Sequence, residues 1–279
     1  MSSSCDAVEI FPDSIEFKEC LGVGTYGTVY KALYNEMLVA VKKNKEGSEK
    51  QYFREKTGLM QVNHENIIKL LGFNDSHRYL IIELCEDNLH NIIHNRKHDI
   101  DITWNYALTW ARDCAKAIAY LHGFQPKPLL HRDLKPGNVL LTNEMKIVKL
   151  TDFGTVREEE DEMTSEIGTA SYIAPEVCQG DGYAEYTTKC DVFSWSIMLW
   201  EILCRKQPFE KLENVAIYFV KIEYQHRPRE LKNCPDSIKI LMEQCWETDP
   251  DKRPNMNEVV EQMEKICEFN ASDDVVNVD

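Results

Sequence analysis

No stretch of this chain stays apolar for the roughly 20 residues that a membrane span requires. The most apolar run, Val192 to Cys204, is interrupted by Ser194 and Ser196 and carries Glu201, which suits a buried core helix and predicts no membrane insertion. The opening Met-Ser-Ser-Ser-Cys lacks a basic stretch leading into an apolar one, and residue 2 is serine rather than the glycine that myristoylation needs. Neither export nor an N-terminal lipid anchor is expected. Cysteines are present, ten of them, but scattered and never in CxxC spacing. That pattern reads as reduced thiols of a cytoplasmic protein rather than a disulfide framework. Positive charge is scarce, with 32 Lys and Arg against 47 Asp and Glu, a net charge of −15. Such a surface repels phosphate backbones and argues against a nucleic-acid partner. Internal repeats and long linkers are also missing.

What is there is enough apolar content, 43% of 279 residues, to bury one large or two coupled domains. From Phe17 to Glu83 short β-type runs dominate, among them Thr28-Val29-Tyr30, Leu38-Val39-Ala40-Val41 and Tyr79-Leu80-Ile81-Ile82. One helix, about Ser48 to Met60, interrupts them. Beyond Asn88 the period changes. Trp104, Ala107, Leu108, Ala111, Cys114, Ala115, Ile118 and Ala119 recur at helical spacing behind Thr103 as a cap. Met256 to Cys267 repeats the pattern behind a capping box of Asn255 and Glu258. The expectation is an α+β fold of two lobes: a small antiparallel β-rich N-lobe with one helix over 17–84, a junction at 84–88, and a larger, mainly helical C-lobe over 89–269. Residues 1–16 read as an N-terminal extension and 270–279 as a tail, with a cleft between the lobes.

Gly22-Val23-Gly24-Thr25-Tyr26-Gly27 is a GxGxxG string, suited to a loop whose backbone approaches phosphate oxygens closely. A dinucleotide loop would open a helix at the last glycine, whereas Gly27 leads into the β-type run Thr28-Val29-Tyr30. The GxxxxGK of a Walker loop does not occur. A plain glycine-rich hairpin remains the bland alternative. It weakens at Val39-Ala40-Val41-Lys42, where a strand delivers a lysine able to face the cleft. Glu55 on the following helix can pair with it, and Glu49 is the competing candidate.

Leu129-Leu130-His131-Arg132-Asp133-Leu134-Lys135-Pro136-Gly137-Asn138-Val139-Leu140-Leu141 sets charged residues between apolar runs, and Asp152-Phe153-Gly154 and Ala174-Pro175-Glu176 follow. In this order the strings resemble the eukaryotic protein kinases across roughly residues 17–269. The resemblance implies a bilobal protein kinase fold that uses ATP and Mg2+. It makes Asp133 the catalytic base, Asn138 and Asp152 the metal ligands, Lys135 a neutraliser of the transferred phosphate, and Lys42, paired with Glu55, the residue that orients ATP. It also implies that Glu83 and Cys85 meet the adenine through backbone groups, that Val29 and Ala40 sandwich the ring, and that Ile82 closes the space behind it. His131 and Phe153 read as packing residues. Glu176 and Arg253 read as an ion pair and Asp191 as a brace for the catalytic loop, so their loss should destabilise the large lobe.

Lys135, and Thr169 before Ala-Pro-Glu, resemble the serine/threonine-specific pattern; a tyrosine or dual-specificity enzyme and a pseudokinase scaffold are the alternatives. Val62-Asn63-His64-Glu65-Asn66-Ile67, Asp152-Phe-Gly-Thr155 and Lys189-Cys-Asp-Val-Phe-Ser-Trp195 resemble the TGF-β-activated branch of the MAP kinase kinase kinases, as a short paralogue. That likeness implies a MAP kinase kinase as protein substrate and an activator of the TAB type on the large lobe. With only residues 270–279 after the last helix, adaptor recruitment through a C-terminal coiled coil is not expected. Thr164 and Thr169 are candidate phosphosites. Five acids, Glu158 to Glu162, precede Thr164 and Ser165. They read either as a solvated loop or as a partial substitute for a phosphate opposite Arg132. Two residues depart from the pattern: Ser196 stands where the family has glycine, and Gly58 lies inside the helix of Glu55, at a cost of roughly 1 kcal/mol against alanine.

Overall fold

The β-branched and aromatic runs pair as strands in the computed structural model, which describes residues 7–95, 100–158, 170–178, 186–210 and 212–278. The small lobe contains β1 (Val8–Glu9), β2 (Ile15–Val23), β3 (Gly27–Tyr34), β4 (Met37–Asn44), α1 (Glu49–Gln61), β5 (Leu70–Asn74) and β6 (Tyr79–Glu83). Its six-stranded sheet has the order β1-β5-β6-β4-β3-β2, antiparallel except for β1, which runs parallel to β5. Side chains alternate across a strand, so Val39, Val41 and Ile81 face one way and Ala40, Leu80 and Ile82 the other. The first set packs with Ile10 and Ile15; the second joins the main core shared with the helices. Ile10 and Ile15, 3% and 7% exposed, therefore belong to the domain, and the boundary expected at residue 17 falls inside β2. The heptad-like spacing of Tyr52, Glu55 and Leu59 gives α1 the buried stripe that holds it against the sheet.

The chain then passes through β7 (Asp87–Asn88) into α2 (Leu89–His94), α3 (Trp104–His122), β8 (Leu129–Leu130), β9 (Val139–Thr142), β10 (Ile147–Leu150) and β11 (Arg157–Glu158). Helices α4 (Pro175–Cys178), α5 (Thr188–Cys204), α6 (Asn214–Glu223), α7 (Asp236–Cys245) and α8 (Met256–Asn270) complete the large lobe. Helix α5 is buried without a break from Cys190 to Cys204, as a helix apolar on all sides must be, and Trp195 Nε1 ties it to α3 by donating to the Ala111 carbonyl at 2.9 Å. Ser196, 0% exposed, donates to the Phe193 carbonyl. Asn255 and Glu258 form the expected capping box of α8. The fold does not stop at Phe269: the amides of Trp104 and Val276 donate to Asp274 and Ile102, and Val276 and Val278 are buried on the main core. Among the described residues no helix is long and apolar enough to cross a membrane.

The two lobes share that core rather than merely touching. Leu59, Ile67 and Ile68 from the small lobe cluster with Leu150 and Phe153, and the backbone joins them through Ile68 N to Leu150 O at 2.9 Å and Leu150 N to Asn66 O at 2.8 Å. Between the lobes lies a cavity of about 810 Å³.

Candidate active site

Strands β2 and β3 and the turn between them form the roof of this cavity. Gly22, Val23, Gly24, Thr25, Tyr26 and Gly27 all line it. The Gly24 amide donates to the Gly27 carbonyl at 2.8 Å, and Lys45 Nζ donates to the carbonyls of Gly24 and Thr25. Gly27 is obligatory because a Cβ there would lie 2.5 Å from the Lys43 carbonyl oxygen. The string thus opens into a strand and not a helix, which leaves the dinucleotide geometry unavailable. Val29, Ala40, Ile82, Glu83 and Cys85 line the same cavity where the lobes join. Burial pushes the Cys85 thiol up to about 12, so it stays protonated at neutral pH. The sequence reading missed Leu21 and Leu140, which also line the space; the signal available was position, Leu21 directly before the glycine string and Leu140 just after Asn138.

Lys42, delivered by β4, meets both carboxylate oxygens of Glu55 at 2.7 and 2.6 Å. Glu49 points elsewhere and pairs with Arg78, which settles the choice between the two glutamates. Burial by itself would lower the Lys42 pKa, but the carboxylates of Glu55 and Asp152 outweigh it and hold the ammonium above its ordinary value. Gly58 lies on the same helix one turn further, and a Cβ there would sit 3.4 Å from Phe153 Cβ. That is ordinary van der Waals distance, so a methyl group fits against Phe153 and a longer side chain does not. Gly58→Ala is expected to stabilise the fold by up to roughly 1 kcal/mol. Gly58→Leu should push Phe153 away and lower activity, measured by thermal denaturation beside a transfer assay.

The catalytic-type loop runs between β8 and β9. Asp133 Oδ2 accepts from Lys135 Nζ at 2.7 Å and from Asn138 Nδ2 at 2.9 Å, and its side chain is 10% exposed. Asp152 stands nearby with a left-handed backbone, φ 65°, and so does Arg132 with φ 71°. Conformations of this kind persist only where the surroundings fix them. Here Asp191, 1% exposed, accepts the amides of His131 and Arg132, both at 2.9 Å, and a bond from His122. Burial alone would raise the Asp191 pKa; the bonds and charge of His122 and the other donors reverse this and hold it below the usual value. His131 donates to the Thr151 carbonyl and meets Phe153 edge to face, so both act in packing. All the described residues singled out for nucleotide, metal and chemistry thus converge on one cavity. Thr164 and Thr169, and the acidic run from residue 159 onward, lie outside the described residues; at Glu158 the backbone pairs with Leu129.

Sequence reasoning also missed Lys221, which the structure places on α6. It is 0% exposed, and its Nζ donates to the carbonyls of Ala170, Ser171 and Ile173 at 2.7, 2.7 and 3.0 Å, with the rings of Phe193 and Phe209 alongside. It therefore holds the segment just before Ala174-Pro175-Glu176. Burial lowers its pKa to about 7; Arg227 adds to the effect and Cys178 opposes it. The three bonds use all three N–H groups of the ammonium and oppose the effect of burial, since loss of the proton would leave one carbonyl without its donor. Lys221→Met strands all three carbonyls and is expected to lower stability by at least about 1 kcal/mol. Denaturant titration reads this directly, and an unchanged midpoint would refute it.

The protein kinase domain family matches residues 15–263. Mitogen-activated protein kinase kinase kinase 7 of Drosophila melanogaster is 44% identical over 256 residues, which covers 90% of this chain and 37% of the relative. The protein of that name from Homo sapiens is 39% identical over 264 residues, 94% of this chain and 43% of the relative. The Bos taurus protein gives 39% over 264 residues, 94% and 45%. The chain thus spans less than half the length of these relatives. By its matched domain, and by the motif order that its folded structure gathers around one cleft, the chain belongs to the protein kinase domain family.

Proposed function

We propose that this protein is a serine/threonine kinase that transfers the γ-phosphoryl group of ATP to MAP kinase kinases, acting in the cytoplasm and responsive to an activator of the TAB type. The observation that carries this reading is the convergence of the Lys42–Glu55 pair, Asp133, Asp152 and the glycine loop on one cleft. The relatives' names support the substrate class, and nine unpaired cysteines among the described residues suit a reducing compartment.

In this reading the adenine lies between Val29 and Ala40, with Ile82 behind it and the backbone of Glu83 and Cys85 at its edge. Backbone amides of the glycine loop and the Lys42 ammonium hold the phosphates. The substrate hydroxyl attacks the γ-phosphorus, the bond to the bridging oxygen breaks with ADP as leaving group, and Asp133 takes the hydroxyl proton. Lys135, 2.7 Å from Asp133, neutralises charge on the transferred group. The donor set fits a hard cation. Asp152 Oδ1 is buried without a hydrogen-bond partner among the described residues, and the Nδ2 of Asn138 is committed to Asp133, which leaves its Oδ1 to coordinate. Mg2+ held there by Asp152 and Asn138 would neutralise the phosphate oxygens and orient them for in-line transfer.

The test is to incubate the protein with labelled ATP, Mg2+ and an inactive MAP kinase kinase, with and without a TAB-type activator, and to identify the labelled amino acid. Label on serine or threonine is expected. Label on tyrosine would overturn the specificity, and no label under either condition would overturn the activity.

A further inference from the structure

Behind the cleft, α2 presents His90 and His94 one helical turn apart, on the same face, toward the fully buried Glu201 of α5. One ligand atom from each lies within 4.8 Å of the others. His94 Nε2 is 2.7 Å from Glu201 Oε1, and the two imidazole rings stand 4.7 Å apart at 51°. The other carboxylate oxygen accepts from the Tyr172 hydroxyl at 2.5 Å. We propose that His90, His94 and Glu201 form a binding site for a divalent transition cation of the zinc type, separate from the nucleotide cleft.

Two imidazoles and one carboxylate are a donor set that zinc accepts, with a water completing the tetrahedron. Bonds of about 2.0–2.1 Å place tetrahedral ligand atoms roughly 3.4 Å apart, so the His94–Glu201 contact opens by less than 1 Å and His90 closes by a rotamer adjustment. The bond from Tyr172 to the distal oxygen is the outer support that orients a ligating carboxylate. The helix that carries the histidines is itself fixed, because the Asn88 side chain caps its first turn by accepting the Asn91 amide at 2.9 Å. The plain alternative is a hydrogen-bonded His94–Glu201–Tyr172 chain in which His90 takes no part. The placement of His90 within reach of both partners is what that alternative leaves unused. A bound ion would tie α2 and α5 to Tyr172, in the segment that Lys221 also holds.

The experiment uses the whole chain. Zn2+ is titrated in competition with a chromophoric chelator, Co2+ is added separately and its visible spectrum recorded, and the wild type is compared with His90→Gln, His94→Gln and Tyr172→Phe. These replacements keep Glu201 in place, and circular dichroism checks that each variant is folded. One Zn2+ per chain is expected, with affinity at least tenfold weaker in each histidine variant and weaker to a lesser degree in Tyr172→Phe. Co2+ should give a tetrahedral spectrum without a thiolate charge-transfer band. Equal affinity in the wild type and His90→Gln would leave only the hydrogen-bonded chain. A thiolate band, or no binding by the wild type, would overturn the site.

Discussion

Asp133→Asn is expected to lower kcat for phosphoryl transfer by about 100- to 10,000-fold while nucleotide binding persists. The change is isosteric, and the loop that holds residue 133 owes its shape to Asp191 and the amides of His131 and Arg132. What disappears is an oxygen able to take the hydroxyl proton as the bond to phosphorus forms. The adenine wall and the Lys42–Glu55 pair lie on other elements, so affinity for a fluorescent ATP analogue should stay within a few fold. Steady-state kinetics beside displacement of that analogue separates the outcomes. An undiminished kcat would remove Asp133 from its role, and lost nucleotide binding would make the residue structural. Lys42→Met is a poorer probe, because it leaves the Glu55 carboxylate buried without its cation.

The second large effect is on stability. Arg253→Met is expected to cost about 3 kcal/mol, the lower end of the range for breaking a buried pair, because the Glu176 carboxylate left behind is 23% exposed and partly hydrated. The Arg253 side chain is 0% exposed and meets both Glu176 oxygens, at 2.7 and 2.8 Å. Its remaining donors go to the carbonyls of Glu247, Lys189 and Thr248, and its plane lies 5.0 Å from the Phe193 ring. One planar group thus joins α4, α5 and the approach to α8, and Lys189 returns a bond to the Arg253 carbonyl. For a chain of this size the loss corresponds to roughly 6–12 °C in Tm. Glu176→Leu combined with Arg253→Met should recover part of it, since neither charge is then stranded. A single-variant loss below about 1 kcal/mol would mean that solvent reaches the pair and screens it.

The cleft was legible because its chemistry sits in short strings whose residues are neighbours in sequence as well as in space: the glycine loop, Asp133 to Asn138, and Asp152 with Phe153. Glu55 was legible only as one of two candidates. Helical spacing alone does not say which glutamate turns inward, and burial of Tyr52 and Leu59 beside it decides. The ends are less legible for a different reason. Ile10, Ile15, Val276 and Val278 lie in runs too short for any period to emerge, and their partners, β5 and the start of α3, are far away in sequence. Lys221 was illegible in principle. Its partners are backbone carbonyls, which every residue carries and no string advertises.

The continuity of the core across the cleft bears on how the molecule can be taken apart. Leu59, Ile67 and Ile68 find their cover on Leu150 and Phe153, and the strand-like bonds between Asn66, Ile68 and Leu150 close across the same line. A chain severed near Leu84 would leave each half with an open apolar face and orphaned amides, so neither half should fold alone in dilute solution. Mixed together, the halves should find each other through that face, which makes the junction a natural point for a split reporter whose signal depends on reassembly.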